Sequence, residues 1–296
     1  MVSLILVVLG LCFGSFVNAF VWRLHEQEDI DEQLSALKSK KSTKAVASRL
    51  ALLKAQKKDR SISTGRSMCT DCHHQLAWYD LLPVISWLIV GGKCRYCRRP
   101  ISWQYPVVEI STATIFVVSY SLWPQSLSSA HGIFDLSIWL IALIAFMTLV
   151  VYDFRWMILP NRVVYPLIAL AGTQRLVDSL VFHDGLHALA NSGIAAVIGG
   201  GIFYVLYQFS DGNWIGGGDV KLGFALGFFV GRPLLALLLL FLASLLGIIG
   251  AIPSLLNGKF KWKLQIPFGP CLLLACYLLV LFGASFVGWY MQLLTV

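Results

Sequence analysis

Residues 215–231 read IGGGDVKLGFALGFFVG, and the kind of fold follows from how this stretch can pack. After Asp219, glycines recur at every fourth position, Gly223, Gly227 and Gly231. On a helix that spacing makes a bare stripe along one face, the arrangement that lets a second helix approach closely inside a membrane. Asp219 lies on the same stripe, so it is expected to face the bundle rather than lipid. Gly216 to Gly218, just before it, hold no rigid helix and allow unusual backbone angles against which an extended chain could lie.

Outward from this stretch, apolar runs of roughly 20 residues recur, each long enough to cross a hydrocarbon core as a helix. They fall near 2–22, 105–123, 135–152, 163–181, 187–209, 220–232, 234–256 and 270–292, about eight spans by the length rule. The chain is 57% hydrophobic and only 13% charged, against roughly 25% charged residues in soluble domains. The expected fold is therefore an all-α polytopic membrane protein with a small cytoplasmic four-cysteine zinc module. The first 22 residues carry no charge and Arg23 follows them. A secretory signal places its positive charge first, so 1–22 is expected to be a retained first helix.

An outside amino terminus puts 23–104, 153–162, 210–219 and 257–269 in the cytoplasm. All but Arg175 and Arg232 of the 23 Lys and Arg then lie on that side, as the positive-inside rule requires. Both termini are expected outside. The net charge of +8 comes from basic clusters beside hydrophobic spans, with no base-stacking or phosphate-cradling motif. That makes membrane lipid the partner and excludes nucleic acid. The domain reading is a first transmembrane helix (1–22), a cytoplasmic domain (23–104) and a seven-helix membrane domain (105–296). Within the second part, 25–60 is charged, rich in helix formers and free of aromatics. It reads as a solvated helical hairpin or a mobile insert whose lysines meet anionic lipid.

Cys69-Thr-Asp-Cys72 and Cys94-Arg-Tyr-Cys97 are two C-x-x-C pairs in the segment 66–100. Each pair can grip one ion from a tight turn, and two pairs complete a tetrahedral Zn(II) site. The other reading, two disulfides or four unrelated thiols, is disfavoured by a reducing cytosol. With four thiolates the metal keeps no open position, so the zinc is expected to be structural, and His73 and His74 are surplus. Cys12, Cys271 and Cys276 lie in apolar spans and are expected to be buried small hydrophobes.

Asp153 ends the third span and Asp219 opens the sixth, both on the same face. An acid at membrane depth is a functional hypothesis by default. Two carboxylates in mutual reach share a proton, which suits peptide hydrolysis without metal or covalent intermediate. The alternative is that each caps a helix or pairs with Arg155 or Lys221. Gly216, Gly218, Lys221, Pro160 and Glu109 are the candidates for positioning a substrate, Glu109 being equally a helix-packing residue. Asn18, with Gly10 and Gly14, reads as a packing face, and Asp135, Asp178, Asp184 and Asp211 are expected to be solvated. No Ser-His-Asp or H-E-x-x-H pattern occurs in a plausible place.

The ensemble resembles the bacterial type IV prepilin peptidase family. The likeness runs from Gly14-Ser-Phe-Val-Asn18 and Arg23 through Arg66-Ser-Met-Cys-Thr-Asp-Cys72, Trp78-Tyr-Asp-Leu-Leu-Pro83 and Gly92-Lys-Cys-Arg-Tyr-Cys97. It continues with Tyr105-Pro-Val-Val-Glu109, Asp153 with Leu159-Pro160, Gly216-Gly-Gly-Asp-Val-Lys-Leu222 and Ile266-Pro-Phe-Gly-Pro270. The resemblance implies that Asp153 and Asp219 are the catalytic pair of a Gly-x-Gly-Asp membrane aspartyl protease in the bacterial inner membrane. It implies prepilin or pseudopilin substrates, cut after a short basic leader at the cytoplasmic face. It also implies methylation of the new amino terminus with S-adenosylmethionine, an activity that goes with the cysteine-bearing domain. Residues 25–60, and Leu24-His25 where Leu-Pro is common, depart from the family pattern. The competing readings are a protease for other membrane substrates such as preflagellins, a proton- or cation-coupled transporter, and a methyltransferase alone.

Overall fold

The structure, a computed structural model, describes residues 1–39, 44–62, 65–182, 185–256 and 267–294. Its elements are helices α1 (Val2–Lys38), α2 (Lys44–Asp59), α3 (Ile85–Ile89), α4 (Gln104–Ser121), α5 (Ala130–Trp156), α6 (Asn161–Leu180), α7 (Leu186–Phe209), α8 (Gly217–Val230), α9 (Pro233–Leu256) and α10 (Gly269–Leu294). No strand occurs among the described residues, only two isolated bridges. Among the described residues five helices, α1, α5, α7, α9 and α10, are long and apolar enough to cross a membrane. The chain is an all-α, multi-pass membrane protein. It divides into two compact units, residues 1–117 and 118–296.

In the first unit α1 does not stop where its apolar stretch does. It runs unbroken for 37 residues, about 55 Å at helical rise, well beyond a hydrocarbon core of roughly 30 Å. One stripe is buried throughout, from Leu6, Gly10 and Gly14 to Gln27, Ile30 and Leu34. In the apolar half that stripe meets α4. A Cβ at Gly10 would stand 2.4 Å from the Ala113 Cα, and one at Gly14 would stand 2.5 Å from the Glu109 Cα. In the charged half the same stripe meets α2, where Ile30 and Leu34 pack on Leu53. Ion pairs Lys57–Asp31 and Arg60–Glu26 flank that small core. Arg23 and Gln27 donate to the carbonyls of Ile62 and Arg60. Residues 25–39 and 44–60 thus form a helical hairpin, built as an extension of the first helix.

The second unit is held by close helix contacts. A Cβ on Gly223 would stand 2.5 Å from the Gly199 carbonyl oxygen, and one on Gly227 would stand 2.4 Å from that of Ala195. The glycine stripe of α8 therefore lies directly against the backbone of α7. Gly231 is not part of it, contrary to the periodic reading. It ends α8 in the left-handed conformation (φ +70°), which glycine adopts without steric cost. The terminal carbonyls of α8 are met by Arg175, whose Nε is 2.9 Å from the Phe228 oxygen and whose Nη2 is 2.6 Å from that of Phe229. Trp139, fully buried, is ringed by Phe146, Phe229 and Tyr277, and its Nε1 donates to Ser119 Oγ at 3.2 Å.

Since the α7–α8 contact leaves no volume for a side chain, Gly227→Val is expected to destabilise the protein by at least about 1–3 kcal/mol through overpacking. Gly193→Ala faces open space and should be neutral. Thermal unfolding midpoints of the two variants in detergent check this.

Candidate active site and metal centre

Asp153 sits in the last turn of α5 and is 5% exposed. Its Oδ2 accepts from the backbone N–H of Gly269, the first residue of α10, at 3.1 Å. The first N–H groups of any helix have no intrahelical partner and carry the positive end of the helix dipole. Asp219, half-buried, occupies the first turn of α8, and its carboxylate folds back on the amide of Gly216, the cap residue. Both acids are therefore seated at helix amino termini, and they lie within electrostatic reach of each other. One backbone donor faces each carboxylate and offsets part of what burial costs its charge.

The segment between α5 and α6 locks this arrangement. Met157 ends α5 in the left-handed conformation (φ +54°), its N–H bonded to the Asp153 carbonyl at 2.8 Å. Pro160 caps α6, its carbonyl accepting from Val163 and Val164. Between them Leu159 is buried. A Cβ on Gly218 would stand 2.9 Å from the Leu159 Cβ, and one on Gly269 would stand 3.2 Å from its Cδ2 and 2.7 Å from Asp153 Oδ2. Glycines at 218 and 269 thus let three chain segments converge on the two acids. Leu159, which the sequence marked only as part of a motif, is the residue around which they converge.

The basic residues nearest in sequence are engaged elsewhere. Lys221 Nζ donates to Asn161 Oδ1 at 2.8 Å and lies 5.2 Å from the centre of the Tyr165 ring. The Arg155 guanidinium stands 5.5 Å from the Trp156 ring centre.

In the first unit Glu109, 5% exposed, accepts from the Val84 N–H at 2.7 Å. Val84 has φ +60°, costly for a β-branched residue, and the carboxylate of Glu109 holds the turn in that shape. Asn18 is more than a packing residue. Its Nδ2 donates to the Tyr105 carbonyl at 3.2 Å, and its Oδ1 accepts from Gln104 Nε2 at 3.2 Å, fixing the start of α4 on α1.

The four cysteines come together as two copies of one small device. The Cys69 N–H bonds the His74 oxygen (3.0 Å) and the Cys94 N–H the Arg99 oxygen (2.8 Å). His73 and Arg98, equivalent in the two copies, both take the left-handed conformation, and bridges Met68–Gln75 and Lys93–Pro100 close the turns. The sulfurs of Cys69, Cys72, Cys94 and Cys97 all lie within 4.8 Å of one another, with Cys69 to Cys97 at 3.9 Å. Tetrahedral Zn(II) with bonds of about 2.3 Å needs sulfurs about 3.8 Å apart, so the cluster fits zinc. Burial acts to raise the Cys94 thiol, but backbone N–H groups of Cys97 and Tyr96 outweigh it and bring it down to about 7. Burial raises the Cys69 thiol, and at Cys97 burial and the neighbouring thiols outweigh the Arg99 N–H and push it up to about 11. Asp71 and Arg99 join the two turns at 2.7 Å. Asp80 accepts from Arg95 Nε (2.9 Å) and the Tyr96 hydroxyl (3.1 Å), fastening the preceding 78–81 turn.

Two expectations about these side chains fail: Cys12 is exposed and Cys271 only half-buried, and Asp135 and Asp178 are not solvated but 2% and 3% exposed. Asp211 is exposed as expected, and Asp184 lies outside the described residues, as do Ile266 and the basic residues of 257–266.

A membrane-embedded helical bundle with two carboxylates in electrostatic reach and a separate four-thiol module fits a class, the membrane peptidases whose amino-terminal part carries four clustered cysteines. Residues 8–123 match the bacterial peptidase A24 N-terminal domain, and residues 140–252 match the type IV leader peptidase family. The prepilin leader peptidase/N-methyltransferase of Aeromonas hydrophila is 32% identical over 76% of this chain and 74% of its own length. The proteins of the same name from Bacillus subtilis (29%, over 79% of this chain and 88% of the relative) and Pseudomonas aeruginosa (29%, over 97% and 92%) are similar along most of their lengths. No solved structure matches the chain. The chain belongs to the type IV leader peptidase family, as its motifs had suggested.

Two outcomes are expected from this geometry. Cys94→Ser should release about one equivalent of zinc per chain, measured by metal analysis of the purified protein. Gly269→Ala, whose methyl group would displace the Asp153 carboxylate, should lower peptide-cleaving turnover about tenfold or more while KM changes little, the signature of misplaced catalytic groups.

Proposed function

We propose that the protein is a prepilin leader peptidase of the bacterial inner membrane that also methylates the amino terminus it creates. The observation that carries the reading is the pairing of Asp153 with Asp219, each seated at a helix amino terminus and within reach of the other. Two carboxylates so placed hold one proton between them. The ionised acid takes a proton from a water molecule as its oxygen adds to the scissile carbonyl carbon. The protonated acid gives its proton to the carbonyl oxygen. The tetrahedral adduct then collapses, the carbon–nitrogen bond breaks, and the departing nitrogen receives a proton from the pair.

Gly216 and Gly218 offer side-chain-free backbone beside Asp219 for an extended leader, and Pro160 fixes the Leu159 segment that backs it. Lys221 and Glu109 are held in protein contacts and would act on substrate through the segments they brace. The substrates are prepilins or pseudopilins, consistent with the names of the relatives.

In the amino-terminal part, Cys69, Cys72, Cys94 and Cys97 would hold a structural zinc. With all four positions filled by protein, the ion shapes the module and offers no site to water. Methylation would use S-adenosylmethionine and depend on this module. The eight helices other than α2 and α3 would be the spans, with both termini outside and the module and acids at the cytoplasmic face, as the distribution of Lys and Arg favours. The proposed division is the first helix, the 23–104 domain and the 105–296 membrane domain.

Incubation of the reconstituted protein with a prepilin and labelled methyl donor, read by mass spectrometry, tests the reading. Asp153→Asn and Asp219→Asn should each reduce leader loss by about 10²–10⁴-fold, the range for a lost general acid or base. Undiminished cleavage in either variant overturns the aspartyl mechanism. Loss of the methyl mark, with cleavage retained, is expected on paired substitution of Cys69 and Cys72 by serine; an unchanged methyl mark removes the link to the module.

A further inference from the structure

The second unit contains another cluster of ligating groups that the peptidase chemistry does not use. His131 and Asp135 lie in the first turns of α5, and Asp178 lies in the last turn of α6. On α5, Asp135 is 18 residues before Asp153, a rise of about 27 Å, so this cluster stands near the opposite end of the helix. One ligand atom from each of the three residues lies within 4.8 Å of the others. His131 Nε2 is 3.3 Å from Asp135 Oδ2 and 3.3 Å from Asp178 Oδ1.

Among the described residues no donor is aligned to hydrogen-bond the enclosed Asp178 Oδ1, whose polar neighbours are His131 and Asp135, and none is aligned on Gln174 Oε1. An acceptor buried without a donor is destabilising by about 1–3 kcal/mol, and more when it is charged. Asp178 and Gln174 are 3% and 6% exposed, so bulk water does not compensate them.

Around this point the other atoms are already supported. Asp135 Oδ2 accepts from Gln125 Nε2 at 2.7 Å and Oδ1 from Gln174 Nε2 at 2.8 Å. Asp178 Oδ2 faces Arg175 Nη1 at 3.3 Å. Arg175 itself is committed to the end of α8 through the Phe228 and Phe229 carbonyls. The His131 ring is held flat against Phe182, centroids 4.3 Å apart. Outer groups that orient inner ones are the usual surroundings of a metal ligand. A cavity of about 340 Å³ lined by Arg175, Asp178, Ser192 and Arg232 reaches Asp178.

Two occupants suit such a cluster, a proton on the imidazole or a divalent cation. Charge-assisted hydrogen bonds close to about 2.7–2.9 Å, shorter than either 3.3 Å separation. Ligands bound at about 2.0–2.1 Å to a tetrahedral ion stand about 3.3–3.4 Å apart. We propose that His131, Asp135 and Asp178 form a second metal site, distinct from the four-cysteine cluster, that takes a divalent transition ion of the zinc class. Imidazole with carboxylate oxygen is a donor set for such ions, borderline rather than soft. The ion would clamp the start of α5 to the end of α6.

Cobalt(II) is the probe, because it separates the two sites by colour. The purified full-length protein, stripped of metal and titrated with Co(II), should show one component with intense thiolate-to-metal charge transfer. It should show a second component with only weak ligand-field bands. His131→Ala and Asp178→Asn should each abolish the second component and leave the first, whereas Asp211→Asn, at an exposed acid, should retain both. If all bound cobalt carries the thiolate signature, or if the thiolate-free component survives both His131→Ala and Asp178→Asn, the site does not exist. Should either variant fail to fold, the wild-type titration decides alone: the thiolate-free component must saturate at about one equivalent and give way to Zn(II). Failure of the four-cysteine reading would remove only the charge-transfer component, so the two outcomes stay distinguishable.

Discussion

A carboxylate removed from water has to find donors, and inside a helix bundle nearly all backbone donors are consumed by the helices themselves. The exceptions are the first N–H groups of each helix. Asp153 and Asp219 use these exceptions, one at the start of α10 and one at the start of α8. Much of the second unit's local design follows. A helix has to begin beside each acid, so α8 is short, starting at Gly217 and ending at Gly231. The segment after α5 turns sharply at Met157 so that Leu159 can fill the space between the two helix starts.

Close approach is the second requirement, and glycine meets it at two of the crossings. Along α7 and α8 the backbones touch where Gly199, Gly223 and Gly227 carry no side chain, and in the first unit Gly10 and Gly14 do the same for α1 and α4. Lipid offers no hydrophobic drive for helices to associate, so dense backbone contact and a few polar ties take its place. Asn18 on the start of α4 and Arg175 on the end of α8 are such ties, each supplying hydrogen bonds that a helix end lacks.

The amino-terminal unit joins a membrane helix to water-facing parts by simple means. One continuous α1 keeps the same buried stripe while its partner changes from α4 to α2 and its flanking residues from apolar to charged. Within the 66–100 module, two turns of equal construction bring four sulfurs to tetrahedral separation. Burial there is slight, so the shape rests on backbone bonds and the Asp71–Arg99 pair rather than on an apolar core.

The sequence by itself determined the features that arise from local chemistry or from periodicity. The C-x-x-C pairs, the glycine stripe at 223 and 227, the two acids at span ends and the helical character of 25–60 were all legible, because spacing alone sets which atoms can meet over one or two turns. Tertiary structure decided the rest. Gly231 continues the period of four yet caps α8, since the helix ends there and only its backbone angle matters. Glu109 shares its helix face with nothing in sequence that foretells its bond to Val84. Asp135 and Asp178, near the ends of their helices, read as solvated; they are buried because α5 and α6 cross there and bring His131, Gln125 and Gln174 around them. Partners far apart in the chain leave no periodic trace, so which polar groups are enclosed, and by what, is fixed only when the helices pack.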